Sequence, residues 1–209
     1  ITTFNKILTP IITSDSQLKF EIVGSYRRGA KTSGDIDVIL TTTTPSLTQT
    51  QQQQLFKKLI AKLVSTKIIV HVLAQGNSKS LVIGHVPHSQ YHRRIDFLYT
   101  MPEQYPFAVL YFTGSKDFNT AMRTLALKNK LSLNEHCFTD MKTQQPLDKI
   151  FYTERDIFDF MNMEYREPHE RIDENSITLA SPAEVEQVSS PEINEFIKSG
   201  TPFLETLPK

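Results

Sequence analysis

Several scarcities bound what this chain of 209 residues can be. It holds one cysteine, Cys137, so an internal disulfide and a cysteine-based metal cage are both excluded, which fits a reducing compartment. Cys137 reads as a small buried hydrophobe. No apolar run approaches the roughly 18 residues that a membrane-spanning helix requires, and no secretory signal pattern opens the sequence. No membrane partner is expected. The histidines at 71, 85, 88, 92 and 169 lack paired ligand spacing, so no zinc site is expected. The chain opens on Ile1 rather than Met, so a start inside a longer product or after trimming is expected. Net charge is also missing: the formal value is zero, an odd balance for a binder of polyanions until the chain is divided. Residues 1–152 hold 18 basic against 10 acidic side chains, and residues 153–209 hold 5 against 13. The charge is segregated, with a basic part suited to phosphates and an acidic C-terminal part that repels, regulates or folds onto it.

With 39% hydrophobic and 22% charged residues the composition is ordinarily globular, with room for one or two real cores. Its most informative feature is three aspartates on two separated segments. Asp35 and Asp37 close the run Gly24-Ser25-Tyr26-Arg27-Arg28-Gly29-Ala30-Lys31-Thr32-Ser33-Gly34-Asp35-Ile36-Asp37, and Asp96 sits in Arg93-Arg94-Ile95-Asp96-Phe97. Alternate side chains of a strand share a face, so Asp35 and Asp37 point one way while Ile36 and Val38 feed the other. A hard cation takes a few carboxylates plus substrate phosphate oxygens, and a third carboxylate on a neighbouring strand lets two ions share the site. The triplet therefore reads as a two-metal phosphoryl-transfer centre. Alone, Asp-x-Asp on a strand edge is more often a solvated turn; its surroundings argue otherwise. The alternating residues 18–23 read as a strand that delivers Gly24-Ser25 into a tight turn and short helix. Such a corner sets backbone N–H groups and the Ser25 hydroxyl beside Arg27 and Arg28, which suits an anionic phosphate.

Phe4, Ile7, Leu8, Ile11 and Ile12 have helical spacing, with Pro10 expected to kink or end that helix. Residues 36–40 form the aspartate strand. The Gln51 to Gln54 tract reads as helical surface leading into an amphipathic stripe of Leu55, Phe56, Leu59, Ile60, Leu63 and Val64. Residues 67–74, 80–86 and 91–99 read as further strands, giving a mixed sheet with the carboxylates on one face. From Pro102 the character changes: 107–112 and 117–129 read as helices, 131–138 as a strand, and 153–161 as a helix opened by Thr153 with Asp156 at its third position. Beyond Arg171, Ser181-Pro182 and Ser190-Pro191 look like helix starts and Gly200 with Pro202 like a stop. No internal repeat is visible.

The run from Gly24 to Val38, the His92-Arg93-Arg94-Ile95-Asp96 segment, the Tyr111-Phe112-Thr113-Gly114-Ser115 block and Tyr165-Arg166-Glu167-Pro168 together resemble the palm and C-terminal subdomains of the family X DNA polymerases, DNA polymerase beta among them. The resemblance spans residues 20–171. It implies an α/β (α+β) fold: a nucleotidyltransferase palm with a mixed sheet over 1–102, a smaller nucleotide-selecting α/β subdomain over 103–171, and an acidic extension over 172–209. It implies that Asp35 and Asp37 bridge two Mg²⁺ ions, for which Mn²⁺ substitutes, while Asp96 binds the ion nearest the primer 3′-hydroxyl and is a candidate proton acceptor. Ser25, Arg28 and Gly34 are implied to cradle the triphosphate, with Arg27 supporting the loop. Tyr111 and Phe112 are implied to wall the sugar, with a sharp break at Gly114; without the resemblance two adjacent aromatics read as core.

Lys116, Asn119 and Arg123 share one helix face. The family roles of Asn119 and Arg123 are minor-groove contacts, which test pair geometry without choosing a sequence. Three positions depart from the pattern: Lys116 stands where polymerase beta has an acid, His136 where it has a tyrosine, and Leu98 where it has an arginine that pairs with a catalytic aspartate in the inactive state. Base stacking, fidelity and the closing switch are the properties these changes touch. The expected activity is DNA-directed addition of deoxynucleotides, from deoxynucleoside triphosphates, to gapped or primed DNA in short-gap or base excision repair. A nuclear or other reducing location and repair-protein partners on the acidic extension are expected with it. The helix-hairpin-helix and lyase regions that precede the palm in polymerase beta are expected upstream or from elsewhere. Two other readings share the acids: a template-independent nucleotidyltransferase, and an idle DNA-binding or scaffold module, against which the joint presence of the three acids, Ser25 and Arg28 argues.

Overall fold

Alternating side chains along four of the first five strands build the layer that carries the aspartates. The structure, a computed structural model, describes residues 2–13, 17–43, 47–85 and 90–180; the helix signals at Ser181-Pro182 and Ser190-Pro191 and the stop at Gly200 lie outside these. Strands β1 (Leu18–Ile22), β2 (Asp35–Thr42), β3 (Ile69–Gln75), β4 (Lys79–His85) and β5 (His92–Tyr99) form one sheet in the order β1-β2-β5-β4-β3. Only β2 and β5 pair in parallel, so the sheet is mixed as the pattern predicts. Ile36, Val38 and Leu40 of β2 and Ile95, Phe97 and Tyr99 of β5 turn to one face. There they pack on helices α1 (Thr2–Thr13) and α3 (Gln49–Ser65).

Pro10 does not end α1. Phe4, Leu8 and Ile12 are completely buried along one stripe, and burial of three such side chains at roughly 1.5–3 kcal/mol each outweighs the roughly 3 kcal/mol cost of an interior proline. Helix α3 starts on a capping box, in which the Thr48 hydroxyl accepts from Gln51 N at 3.3 Å and the Gln51 side chain accepts from Thr48 N at 2.8 Å. The glutamine tract is not all surface: Gln52 is buried and its Oε1 accepts from the Tyr99 hydroxyl at 2.9 Å.

The opposite face of the sheet carries the acids. Helix α4 (Tyr105–Thr113) closes part of it, Ala108 and Val109 packing with Val23 and Ile39. The same helix sends Phe107 and Leu110 into a second core with α5 (Lys116–Lys128), α6 (Glu154–Phe160) and strands β6 (Leu131–Leu133) and β7 (Phe138–Asp140). Apolar on both sides, α4 is a shared wall between the two units. Residues 131–138, expected as one strand, are instead a hairpin. Asn134 Oδ1 accepts from the backbone N–H groups of His136 and Cys137 at 2.8 and 3.0 Å, an Asx turn that reverses the chain. Residues 172–180 pack back on this second unit, and Ile177, partly buried, lies against its core. Among the described residues no helix is long and apolar enough to cross a membrane.

Candidate active site

Parallel pairing of β2 with β5 sets Asp37 opposite Asp96 and Asp35 opposite Arg94. Because Ile36, Val38, Ile95 and Phe97 are at most 4% exposed on the far face, the strands cannot slip without exposing core, so register fixes the acids. Burial, then the charges of Asp35 and Asp96, push the Asp37 carboxyl up to about 6. Arg94 answers part of that repulsion. Its Nη2 bonds Asp35 Oδ2 and its Nε lies 3.4 Å from Asp96 Oδ1, an oxygen that is buried and accepts no hydrogen bond. Asp37 is also crowded from the side: a side chain at Gly24, whose φ is +65°, would place its Cβ 2.3 Å from Asp37 Oδ2. Only glycine meets both demands there.

Three carboxylates sharing one guanidinium leave uncompensated negative charge, and their hard oxygens fit a divalent cation. Among the described residues no group of three or more His, Cys, Asp or Glu side chains is arranged to hold a metal ion by itself. Substrate phosphate oxygens would complete the shell, the usual arrangement for Mg²⁺ on one or two carboxylates.

Beside the acids, α2 (Gly24–Arg27) presents the basic corner. The Ser25 hydroxyl meets Ser33 Oγ at 2.8 Å, and Ser33 Oγ donates to the Asp35 carbonyl at 2.6 Å. This relay ties the loop to the first residue of the aspartate strand. Arg28 Nη1 donates to the Thr113 carbonyl at 2.5 Å, and Asn119 Nδ2 donates to the Tyr111 carbonyl at 2.6 Å. Both lie against Gly114, φ +61°. Arg28, Tyr111, Gly114 and Asn119 are thus brought together at the end of α4. Phe112 packs with Val23 and Ile39 as core, whereas Tyr111 lines a groove with Asn119 and Arg123. Lys116 and Arg123 are exposed on α5, and Gly34 is exposed with open space around its Cα.

Sequence reasoning gave Arg27 a loop-supporting role and missed its partners. Arg27 Nε donates to Glu21 at 2.6 Å, its Nη1 to Thr113 Oγ1 at 2.8 Å, and its Nη2 to Glu154 Oε2 at 2.5 Å. Glu154, 8% exposed, also accepts from the fully buried Arg171 at 2.6 Å. The Arg171 guanidinium lies 5.2 and 5.5 Å from the Phe158 and Tyr165 ring centres, a geometry that favours a cation. Burial, with Glu21 accepting from its hydroxyl, pushes the Tyr105 phenol well up. This buried charge cluster joins β1 and α2 of the first unit to α6 of the second. Glu154 and Arg171 carry no local signal of it, whereas Arg94, two residues before Asp96, could have been placed on the acid face by strand alternation.

The family model described as DNA polymerase beta palm matches residues 3–102, and that described as DNA polymerase beta thumb matches residues 108–172. The chain belongs to the family X polymerases. It is similar to DNA polymerase lambda of Rattus norvegicus, with 34% identity over 158 residues that cover 71% of this chain and 28% of that protein. It is 30% identical over 141 residues to the DNA polymerase/3'-5' exonuclease PolX of Bacillus subtilis, covering 68% and 22% of the two. A DNA nucleotidylexotransferase of Xenopus laevis shows 29% identity over 182 residues, covering 72% and 36%. The matched part is thus 22–36% of the length of these relatives. In this family X chain the palm match contains all three aspartates and the thumb match contains the Tyr111–Gly114 turn.

Proposed function

We propose that this chain carries the transfer centre of a DNA-directed DNA polymerase that joins deoxynucleotides, drawn from deoxynucleoside triphosphates, to the 3′-hydroxyl of gapped or primed DNA. The observation that carries the reading is the register of β2 on β5, which sets Asp37 against Asp96 with Asp35 beside them. Two Mg²⁺ ions, or Mn²⁺ in their place, held by Asp35, Asp37, Asp96 and substrate oxygens, would supply Lewis-acid activation of the hydroxyl and neutralise charge on the transferred phosphoryl group.

The chain's own residues orient the partners. Asp96 keeps a buried oxygen that accepts no hydrogen bond, suited to hold the proton of the attacking hydroxyl. Arg28 and Ser25 offer charge-assisted and hydroxyl donors to the triphosphate, Gly34 leaves room for close approach, and Tyr111, with Phe112 behind it, bounds the sugar side. Lys116, Asn119 and Arg123 face the nascent pair from α5. Arg94, which holds Asp35 and Asp96 together, must yield part of that contact when cations and phosphates enter.

Short-gap repair in the nucleus or another reducing compartment fits the single Cys137 and the basic residues 1–152, and residues 172–209 are the proposed docking segment for repair partners. The identity to nucleotidylexotransferases favours template-independent addition as the second reading. Extension of one primer on four gapped templates that differ only in the templating base separates the two. Addition of the complementary deoxynucleotide in each case supports the proposal, and the same addition on all four, or on single-stranded primer, supports the second reading.

A further inference from the structure

The thumb match ends at residue 172, yet the chain continues in a defined path to Ala180. Asp173 caps a short 3₁₀ turn over Glu174–Ser176, and Ser176 Oγ accepts from the N–H groups of Ile172 and Asp173 at 3.2 and 3.3 Å. Ile177, partly buried, then packs against the second core. Leu179 pairs with Met163 in an antiparallel bridge, flanked by Glu164 N to Thr178 O and Ala180 N to Asn162 O, both 2.9 Å. Arg166 clasps the same piece: its Nε donates to the Ser176 carbonyl at 3.1 Å and its Nη2 to Thr178 Oγ1 at 2.5 Å. A segment with a capped turn, a partly buried apolar anchor and six such bonds is a built element rather than a trailing end.

Its near end reaches the site. Ser115 N donates to the Arg171 carbonyl at 3.1 Å, and Ser115 Oγ donates to the Ile172 carbonyl. Ser115 Oγ also accepts from Phe118 N at 3.2 Å, capping α5. The turn from Tyr111 to Ser115 is therefore gripped on three sides: by Asn119 at the Tyr111 carbonyl, by Arg28 and Arg27 at Thr113, and by the strap at Ser115. Arg28 and Asn119 are also assigned to substrate, whereas Arg27 at the Thr113 hydroxyl and the strap at Ser115 are not. When Arg28 and Asn119 turn to a nucleotide, Arg27 holds Thr113 and the strap holds the Ser115 end of the turn.

We infer that residues 172–180 form a strap that positions the nucleotide-binding turn, with Ser115 as the positioning residue through which it acts. The inference rests on the proposed nucleotidyl-transfer function. Its cost falls on the nucleotide: a loosened turn displaces the carbonyls that orient Arg28 and Asn119, and small displacements of orienting groups are expensive. DNA held elsewhere on the basic unit should be indifferent.

Two truncations separate the strap from the acidic segment that follows it. Ending the chain at Ala180 removes only residues 181–209, and ending it at Arg171 removes the strap as well, with the Ile172 carbonyl that accepts from Ser115. The shorter chain should show a nucleotide KM raised about tenfold over the longer one, with kcat changed less than twofold and DNA affinity unaltered. Equal KM values for two folded truncations would overturn the inference. Ser115→Asp, which still caps α5 but cannot donate to Ile172, guards against misfolding of the shorter chain. It should raise KM in the same way, and Ser115→Thr should restore it; a normal KM for Ser115→Asp also overturns the inference. Hydrogen exchange of residues 111–119 without substrate reads the same claim independently of turnover. Faster exchange in the Arg171 truncation supports the strap, and unchanged exchange refutes it. Absence of nucleotide addition by the intact chain would refute the proposed function while leaving the exchange result to decide the strap.

Discussion

Replacing Asp37 with Asn should stabilise the metal-free protein above pH 6 while destroying its transfer activity. The Asp37 carboxyl rises from an ordinary 3.8 to about 6, because it is buried beside Asp35 and Asp96. The folded state therefore binds this proton more tightly than the unfolded chain does. Below pH 4 both states are protonated and nothing is lost; between pH 4 and 6 only the unfolded chain ionises, so folding loses stability as pH rises; above pH 6 the whole penalty is present. At about 1.4 kcal/mol per pKa unit the shift corresponds to roughly 3 kcal/mol, and the partial solvent contact of Asp37 reduces this to on the order of 1–2 kcal/mol. Asn keeps the volume and removes the charge. Thermal melts of both proteins at pH 4 and pH 7.5 in EDTA should show a gain of several degrees for Asp37→Asn at pH 7.5 and almost none at pH 4. Added Mg²⁺ should raise the wild-type midpoint more than the variant's, because the ion binds the folded acid cluster. An equal shift at both pH values, or a variant less stable at pH 7.5, would refute the electrostatic account of the site.

The buried charge cluster predicts a larger loss. Glu154→Gln leaves Arg27 and Arg171 without their shared counter-charge and should cost about 3–5 kcal/mol in urea unfolding, whereas a change under about 1 kcal/mol would mean that water already serves the cluster. Arg28→Ala should weaken nucleotide affinity about tenfold in titrations, since a charge-assisted phosphate contact is lost; a fall in DNA affinity alone would place Arg28 on the DNA side.

Much of the fold was legible because strand alternation and core demand coincide. Ile36 and Val38 had to be buried, so Asp35 and Asp37 had to share the other face, and the same rule turned Asp96 of β5 away from Ile95 and Phe97; that β5 pairs with β2, and in parallel, is seen only in the structure. The misses have physical causes. Pro10 was read by its local penalty, which three buried side chains of α1 outweigh. Gln52 was read by composition, although Tyr99, far along the chain, gives its amide a buried partner. The hairpin after Leu131 hung on one side chain, Asn134, whose turn-forming bonds compete with strand continuation. The cluster of Arg27, Glu154 and Arg171 joins residues more than a hundred positions apart, and charge pairs at that separation leave no periodic trace. The strap after Ile172 was hidden differently, for its acidic composition reads as surface while its bonds run from backbone and from Arg166.

The central claim is that Asp35, Asp37 and Asp96 carry nucleotidyl transfer, and Asp96→Asn tests it most directly. Single-turnover extension of a primer on gapped DNA with Mg²⁺, at saturating deoxynucleoside triphosphate, isolates the chemical step from binding. The account predicts one templated addition by the wild-type chain and a rate lowered by about a thousandfold or more in Asp96→Asn, with nucleotide affinity largely kept. A variant that extends the primer at close to the wild-type rate would contradict it.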